Sequence, residues 1–164
     1  MQALPLTGEF ATFRSGGFVF ALNVVSILKV VPCYGYSILP EAPATILGLT
    51  VYGGVIVPIL DSAALFRSGA PATPKLESRF LVVKPNDRIL ILSAEEVLGV
   101  RTIASGSYAA PEPVGAGMAR LQGVGHRDGD LIYIFDPEKL LLPDEARAVD
   151  KAVQAHAAMQ EPVP

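Results

Sequence analysis

Few residues in this chain are of a type that does chemistry, and their spacing limits what they could do. There are two histidines, His126 and His156, and one cysteine, Cys33. A metal site needs converging His, Cys or carboxylate ligands at usable spacing, and two distant histidines with one thiol do not supply it. Cys33 stands between Pro32 and Tyr34 and is a nucleophile only with a base beside it; no neighbour in the sequence is one, so the thiol reads as structural. Glu95 and Glu96 are adjacent, and adjacent residues of a strand point to opposite faces, so the two carboxylates diverge instead of forming an acid/base pair. Asp61 and Asp136 each end an apolar run, where an aspartate either acts in catalysis or caps the helix that follows. The glycines at 16–17 and 53–54 lack phosphate-loop spacing and a following Lys-Ser/Thr, which makes them turn residues. The expectation is a protein without catalytic residues, metal or cofactor.

Composition points the same way. The chain is 51% hydrophobic and 18% charged, below the roughly 25% charged share of ordinary soluble domains, and its mean hydropathy is +0.42. Net charge is −3, with no Lys/Arg cluster to track a phosphate backbone, so nucleic acid is not an expected partner. The longest uncharged stretch, residues 42–60, is broken by Pro43, Gly48, Gly53, Gly54 and Pro58, so no membrane insertion is expected. The start, MQALPLTGEFATF, has neither a basic n-region nor an apolar h-region, and a cytoplasmic location is expected. Surplus apolar residues then belong in a core, in a ligand pocket or on faces that meet other proteins.

The elements follow from hydrophobic period and turn residues. Phe10–Arg14 and Phe18–Leu22 flank Ser15-Gly16-Gly17 as a hairpin. Val24, Ile27, Leu28 and Val31 then fall at helical spacing, with Asn23 as cap and Pro32 as stop, which predicts a short helix; its β-branched content fits a strand as well. After the prolines at 40 and 43, Leu49–Tyr52 and Val55–Leu60 form a second hairpin around Gly53-Gly54, and a helical turn runs to Phe66. Residues 67–77 read as a linker. Arg79–Lys84 and Arg88–Ser93 make a third hairpin, Val97–Ile103 a strand, residues 104–118 a proline-bearing loop, and Leu121–Gly125 with Asp130–Phe135 a last hairpin. The alanine-rich tail from Pro143 is helix-prone, with Val149, Val153 and His156 on one face.

An internal echo orders these elements. GLTVYGGVIVPILDSAALF from Gly48 and GVGHRDGDLIYIFDPEKLL from Gly123 align without a gap, pairing Gly48 with Gly123, Gly54 with Gly129, Ile59 with Ile134, Asp61 with Asp136 and Leu65 with Leu140. Each segment is a turn glycine, an apolar strand, a capping aspartate and a leucine that pins the next helix. The matched positions favour capping over catalysis for both aspartates. Two related all-β units are expected, over residues 10–68 and 78–142, with a helical tail over 143–164, and units of this size close into barrels. In VIVPIL both faces are apolar: Val55, Val57 and Ile59 on one, Ile56, Pro58 and Leu60 on the other. One fills a barrel and the other needs cover from the second unit or from another protein, and Pro58 places the strand at an edge or bulge.

These residues resemble the CheW family of chemotaxis coupling proteins, from about Phe10 to Leu142. ILKVVPCYGY resembles the family segment with a Val-x-Glu-type motif, GLTVYGGVIVPILD its G-V-x-N-L-R-G and V-I-P-V-I-D-L signature, and YAAPEPV with LQGVGHRDGDLIYIFDPEKLL its closing loop, hairpin and D-x-x-K-L-L. The resemblance implies two tandem SH3-like five-stranded β-barrels with short helices and a C-terminal helix, and no enzymatic activity. It also implies a bridge between a chemoreceptor's cytoplasmic tip and the regulatory domain of a CheA-type histidine kinase. Protein-binding residues expected from it are Ile27, Val30, Pro32, Tyr52, Gly53, Val55, Val57 and Ile59. This chain departs from the pattern at Val51 and Gly53, where the family has asparagine and arginine, and at Pro32, where it often has glutamate. The alternative is a module of the same fold that binds a non-chemotaxis protein or a small ligand.

Overall fold

The structure, a computed structural model, describes residues 8–67, 73–104, 108–110, 115–127 and 129–159. Its strands are β1 (Gly8–Ser15), β2 (Phe18–Asn23), β3 (Ile27–Pro32), β4 (Ile46–Tyr52), β5 (Val55–Asp61), β6 (Arg79–Val83), β7 (Leu90–Ala94), β8 (Glu96–Ile103), β9 (Tyr108–Ala109), β10 (Leu121–Arg127) and β11 (Asp130–Phe135). The helices are α1 (Ser62–Arg67), α2 (Gly115–Met118) and α3 (Pro143–Met159). Parts of the 67–77 linker and the 104–118 loop, and the end of the tail, lie outside the described residues.

All four hairpins form where the turn chemistry puts them. Gly16, Gly17, Gly53, Gly54 and Gly129 have positive φ, as tight hairpin turns require, and Asn86 and Asp87 serve the same purpose in the third hairpin. Asp61 accepts from the N–H of Ala63 at 3.0 Å, and Asp136 from that of Glu138 at 3.0 Å, so both aspartates cap the turn that follows. The expected helix over Val24–Val31 is the exception. Asn23 does cap a turn, but only a 3-10 turn over Val24–Ser26, and the chain then extends as β3. The cause is a bulge: β3 pairs with β6 and its register shifts between Ile27 and Lys29. One extra residue breaks the two-residue alternation and leaves apolar spacing that imitates a helix.

The strands assemble into two sheets, in the orders β8-β1-β2-β11-β10-β9 and β3-β6-β7-β5-β4. The sheets therefore do not divide the chain at the 67–77 segment, as expected for units over 10–68 and 78–142. Hairpin β1–β2 joins strands from the C-terminal half, and hairpin β6–β7 joins strands from the N-terminal half. Both joints have the same form, a parallel pairing of Ile59 with Ile91 in one sheet and of Ile134 with Ala21 in the other. Both sheets also close alike: the segment after β3 bridges to β4 at Ser37–Leu49, and β9 after β8 pairs Ala109 with Val124 of β10. Pro58 sits inside a sheet rather than at its edge. It is tolerated because the parallel pairing of β5 with β7 begins only at Ile59, so no ladder partner lies beside it on that side.

Three apolar clusters result. Leu47, Val57, Ile59, Phe80, Val82 and Ile91 fill one barrel, and Phe10, Ala21, Ile132 and Ile134 line the other. The largest cluster lies between them, with Phe13, Phe20, Leu60, Leu81, Leu92, Phe135 and Leu140 among its members. The second face of β5 is thus covered by the other barrel, as Leu60 shows. Rings of Phe20 and Phe135 stack at 4.8 Å and those of Phe66 and Tyr133 meet at 4.3 Å, tying α1 to the opposite barrel.

The tail docks against this middle layer. Val149 is buried in it and Val153 packs on its margin. In the first turn of α3, Glu145 accepts two hydrogen bonds from the buried Arg120 guanidinium at 2.8 Å each, one from the Thr45 hydroxyl at 2.7 Å and one from the Leu142 N–H at 2.9 Å. Burial alone would raise the Glu145 pKa, but the bonds from Arg120, Thr45 and Leu142 outweigh it and hold the carboxyl below its ordinary value. A folded-state pKa below the unfolded one gives stability that is present above about pH 4.3 and lost as pH falls through the folded value. Glu145→Ala should cost about 3–5 kcal/mol, since it strands a buried guanidinium. Urea unfolding measured across the acid range should show the wild-type stability falling where that of Glu145→Gln stays flatter.

Candidate functional site

The expected contact residues divide into two groups. Val30 and Pro32 are exposed on β3, an edge strand, and Ile27 at its start packs half-buried against the central cluster. Tyr52, Gly53 and Val55 form the tip of the β4–β5 hairpin, with Gly53 and Val55 exposed. Val57 and Ile59 are only 1% and 0% exposed and belong to the barrel core. They are removed from the candidate surface, because the alternation of β5 turns them inward with Phe80 and Ile91.

The tip and the edge are one assembly. Past β3 the chain folds back along β4, where the Tyr34 hydroxyl donates to the Val51 carbonyl at 2.8 Å and the Thr50 hydroxyl to that of Gly35 at 2.6 Å. Tyr34 and Tyr36 both turn ring edges to Phe80. Gly48 makes the close approach possible, since a Cβ there would lie 2.4 Å from the Ser37 carbonyl oxygen.

Exposed aliphatic residues also stand outside the signature, at Leu28, Leu98 and Val100. Leu28 is 53% and Val30 42% exposed on β3, and Leu98 is 37% and Val100 60% exposed on β8. β8 is the edge of the other sheet, and its register against β1 shifts at Leu98 as that of β3 shifts at Leu28. Val30 pairs with Leu81 as Val100 pairs with Ala11. A second echo underlies this: ILKVVP from Ile27 matches VLGVRT from Val97, and the same offset carries each strand's pairing hairpin onto the other's. Val51 is a further exposed apolar residue at the β4–β5 tip. The chain therefore presents the same bulged apolar edge twice. An unpaired edge strand with exposed aliphatic residues is a docking feature, because it offers backbone groups and apolar area together.

The side chains that could do chemistry are placed otherwise. Cys33 is half-buried against the filled barrel; burial raises its thiol pKa, which the Arg79 charge only partly opposes. Glu95 accepts from the Gly16 N–H while Glu96 pairs with Arg14, so the two carboxylates diverge. His126 is exposed on β10 opposite Leu131, and the His156 side chain lies outside the described residues. Among the described residues no three His, Cys, Asp or Glu side chains gather as metal ligands. None of their helices is long and apolar enough to cross a membrane.

Two small, partly open barrels that share a core and turn equivalent apolar edges outward define a protein-binding scaffold. Residues 9–144 match the CheW-like domain family model, so the chain belongs to the CheW-like family. It is 26% identical over 137 residues to the chemotaxis protein CheW of Helicobacter pylori, covering 83% of this chain and 82% of that one. It is 30% identical over 153 residues to the protein FrzA of Myxococcus xanthus, covering 90% and 93%. The solved structure of the scaffolding protein TtCheW from Thermoanaerobacter tengcongensis superposes with a TM-score of 0.74 at 23% identity, covering 88% of this chain and 94% of that one. As a CheW-family protein the chain is a scaffold of chemotaxis-type signalling, built on two SH3-like barrels.

The Gly48 contact gives a direct check on how the tip is held. Gly48→Ala forces the 34–37 segment off β4 and should destabilise the fold by about 1–3 kcal/mol, the usual cost of overpacking. Amide hydrogen exchange at Ser37 and Leu49 should accelerate more than at the β6–β7 hairpin.

Proposed function

We propose that the protein couples a chemoreceptor's cytoplasmic tip to the regulatory domain of a CheA-type histidine kinase, without catalysis of its own. It would work in the cytoplasm, at membrane-associated receptor arrays, without entering the bilayer. The observation that carries this reading is the duplicated edge. One chain with two equivalent apolar surfaces can hold two partners at once, which is the physical requirement for a coupler. The β3 edge with the β4–β5 tip (Leu28, Val30, Val51 and Val55) forms one surface, and the β8 edge (Leu98 and Val100) the other. A few residues commonly carry most of the affinity of an interface, and here the exposed leucines and valines supply the apolar area each partner would cover.

Val51, Gly53 and Pro32 favour a second reading, a CheW-fold module with a partner outside chemotaxis. They remove an asparagine, an arginine and a glutamate from the pattern the chain otherwise follows, and one interface arginine can contribute about 2 kcal/mol or more. Titration calorimetry with the regulatory domain of the cognate kinase and with a receptor-tip fragment separates the two. Val30→Glu and Val100→Glu should each weaken one partner at least about tenfold and spare the other. Failure of the intact protein to bind either partner would sink the coupling role and leave the second reading.

A further inference from the structure

The two barrels are built alike but filled differently, and each carries a cleft: one of about 380 Å³ beside Tyr34, Tyr36 and Leu49 of the filled barrel, and one on the other barrel whose walls are more aliphatic. Matched strand by strand through their pairing registers, the barrels place Phe10 where Phe80 stands, Ile132 where Val57 stands and Ile134 where Ile59 stands. Other matched positions have lost apolar volume: Ala21 for Ile91, Thr12 for Val82 and Gln122 for Leu47. The filled barrel buries Leu47, Val57, Ile59, Phe80, Val82 and Ile91, whereas among the described residues the other buries Phe10, Ala21, Ile132 and Ile134. Beside them lies a cavity of about 300 Å³, with Ile103, Ile132 and Ile134 among its walls and Arg101 and His126 at its exposed side.

The interior also gains aliphatic groups, Ile132 for Val57 and Ile103 for Cys33, while the mouth gains charge. Arg101 occupies the position of Val31 in the filled barrel, since it pairs with Phe10 as Val31 pairs with Phe80. A charge has thus replaced an aliphatic side chain at the opening of an underfilled apolar space. Interiors are normally packed to crystal-like density, and a void lined by isoleucine loses contacts that an apolar guest would restore. Pockets of this size with few polar groups are the ordinary form of small-molecule sites.

We propose that this cavity binds a small apolar carboxylate, its hydrocarbon against Ile103, Ile132 and Ile134 and its carboxylate against Arg101, with His126 as a second donor. Guanidinium is the side chain best shaped for a carboxylate, and apolar walls exclude competing water. Such a ligand would occupy a place remote from the β4–β5 tip, and its binding does not depend on the coupling role proposed above.

Sodium octanoate, with octanamide as its uncharged counterpart, tests the assignment on the full chain by isoleucine methyl NMR. Octanoate should shift the methyl signals of Ile103, Ile132 and Ile134 saturably, and Ile59 and Ile91 in the filled barrel should stay in place. Arg101→Gln, a change of an exposed side chain, should weaken octanoate at least about tenfold and leave octanamide nearly unchanged. Ile103→Phe should weaken both ligands by occupying the space, with an unchanged methyl spectrum elsewhere showing that the fold is intact. Unshifted methyls of these three residues at millimolar octanoate overturn the proposal. So does an octanoate affinity that Arg101→Gln leaves as it was, because the site would then be an apolar void without carboxylate recognition.

Discussion

One carboxylate stands where the two halves of the chain meet, and much of the architecture is arranged around it. Thr45 and Arg120 are matched by the same echo that pairs Gly48 with Gly123, and each stands just before the first strand of its closing hairpin. Their carbonyls do the same work: that of Thr45 accepts from the Asp61 N–H and that of Arg120 from the Asp136 N–H, so each ties off one capping aspartate. Their side chains then converge on Glu145 of α3. A symmetric framework meets a single helix here, and the sequence breaks its symmetry by giving one half a hydroxyl and the other a guanidinium. The buried guanidinium obliges the helix to stay, because burial denies it solvent as a substitute for the carboxylate.

The exchange of hairpins explains why such a tie matters. Each half sends its first hairpin into the other half's sheet, so neither barrel exists without the whole chain. The layer between the barrels is correspondingly the largest cluster, with Phe13 and Phe20 of one hairpin at the positions that Val83 and Leu90 hold in the other. Bulk on one side is matched by smaller residues on the other, as close packing demands. The barrel interiors are smaller, and one of them has Ala21 where the other has Ile91.

Local features are legible in the sequence and pairings are not. Gly53-Gly54, Asp61 and Asp136 specify turns and caps through short-range chemistry, and the structure forms them as read. The exchange of β1–β2 for β6–β7 has no local signature, since both hairpins are equally apolar and either could complete either barrel. The bulge at Leu28 disguises a strand as a helix for the same reason: its cause is the partner β6, which lies far along the chain. The pattern of VIVPIL leaves open which apolar face is solvent, and the family resemblance put Val57 and Ile59 on the contact surface although both are buried. The counterpart of β3 is hidden because its offset is shorter than the one relating Gly48 to Gly123, a difference that falls in the unequal loops before β4 and β10.

The bulges bear on function as well as on reading. At Leu28 and at Leu98 the extra residue interrupts the ladder of an edge strand that carries two exposed aliphatic side chains, Leu28 with Val30 and Leu98 with Val100. A regular strand would have left a flat edge open to indiscriminate pairing. A bulged edge instead limits backbone pairing and shifts recognition to side chains, which is how an exposed apolar strand can select a partner without inviting aggregation. The device recurs in both barrels, and the residues beside it differ: Val31 follows one bulge where Arg101 follows the other, so the two edges are alike in form and unlike in charge.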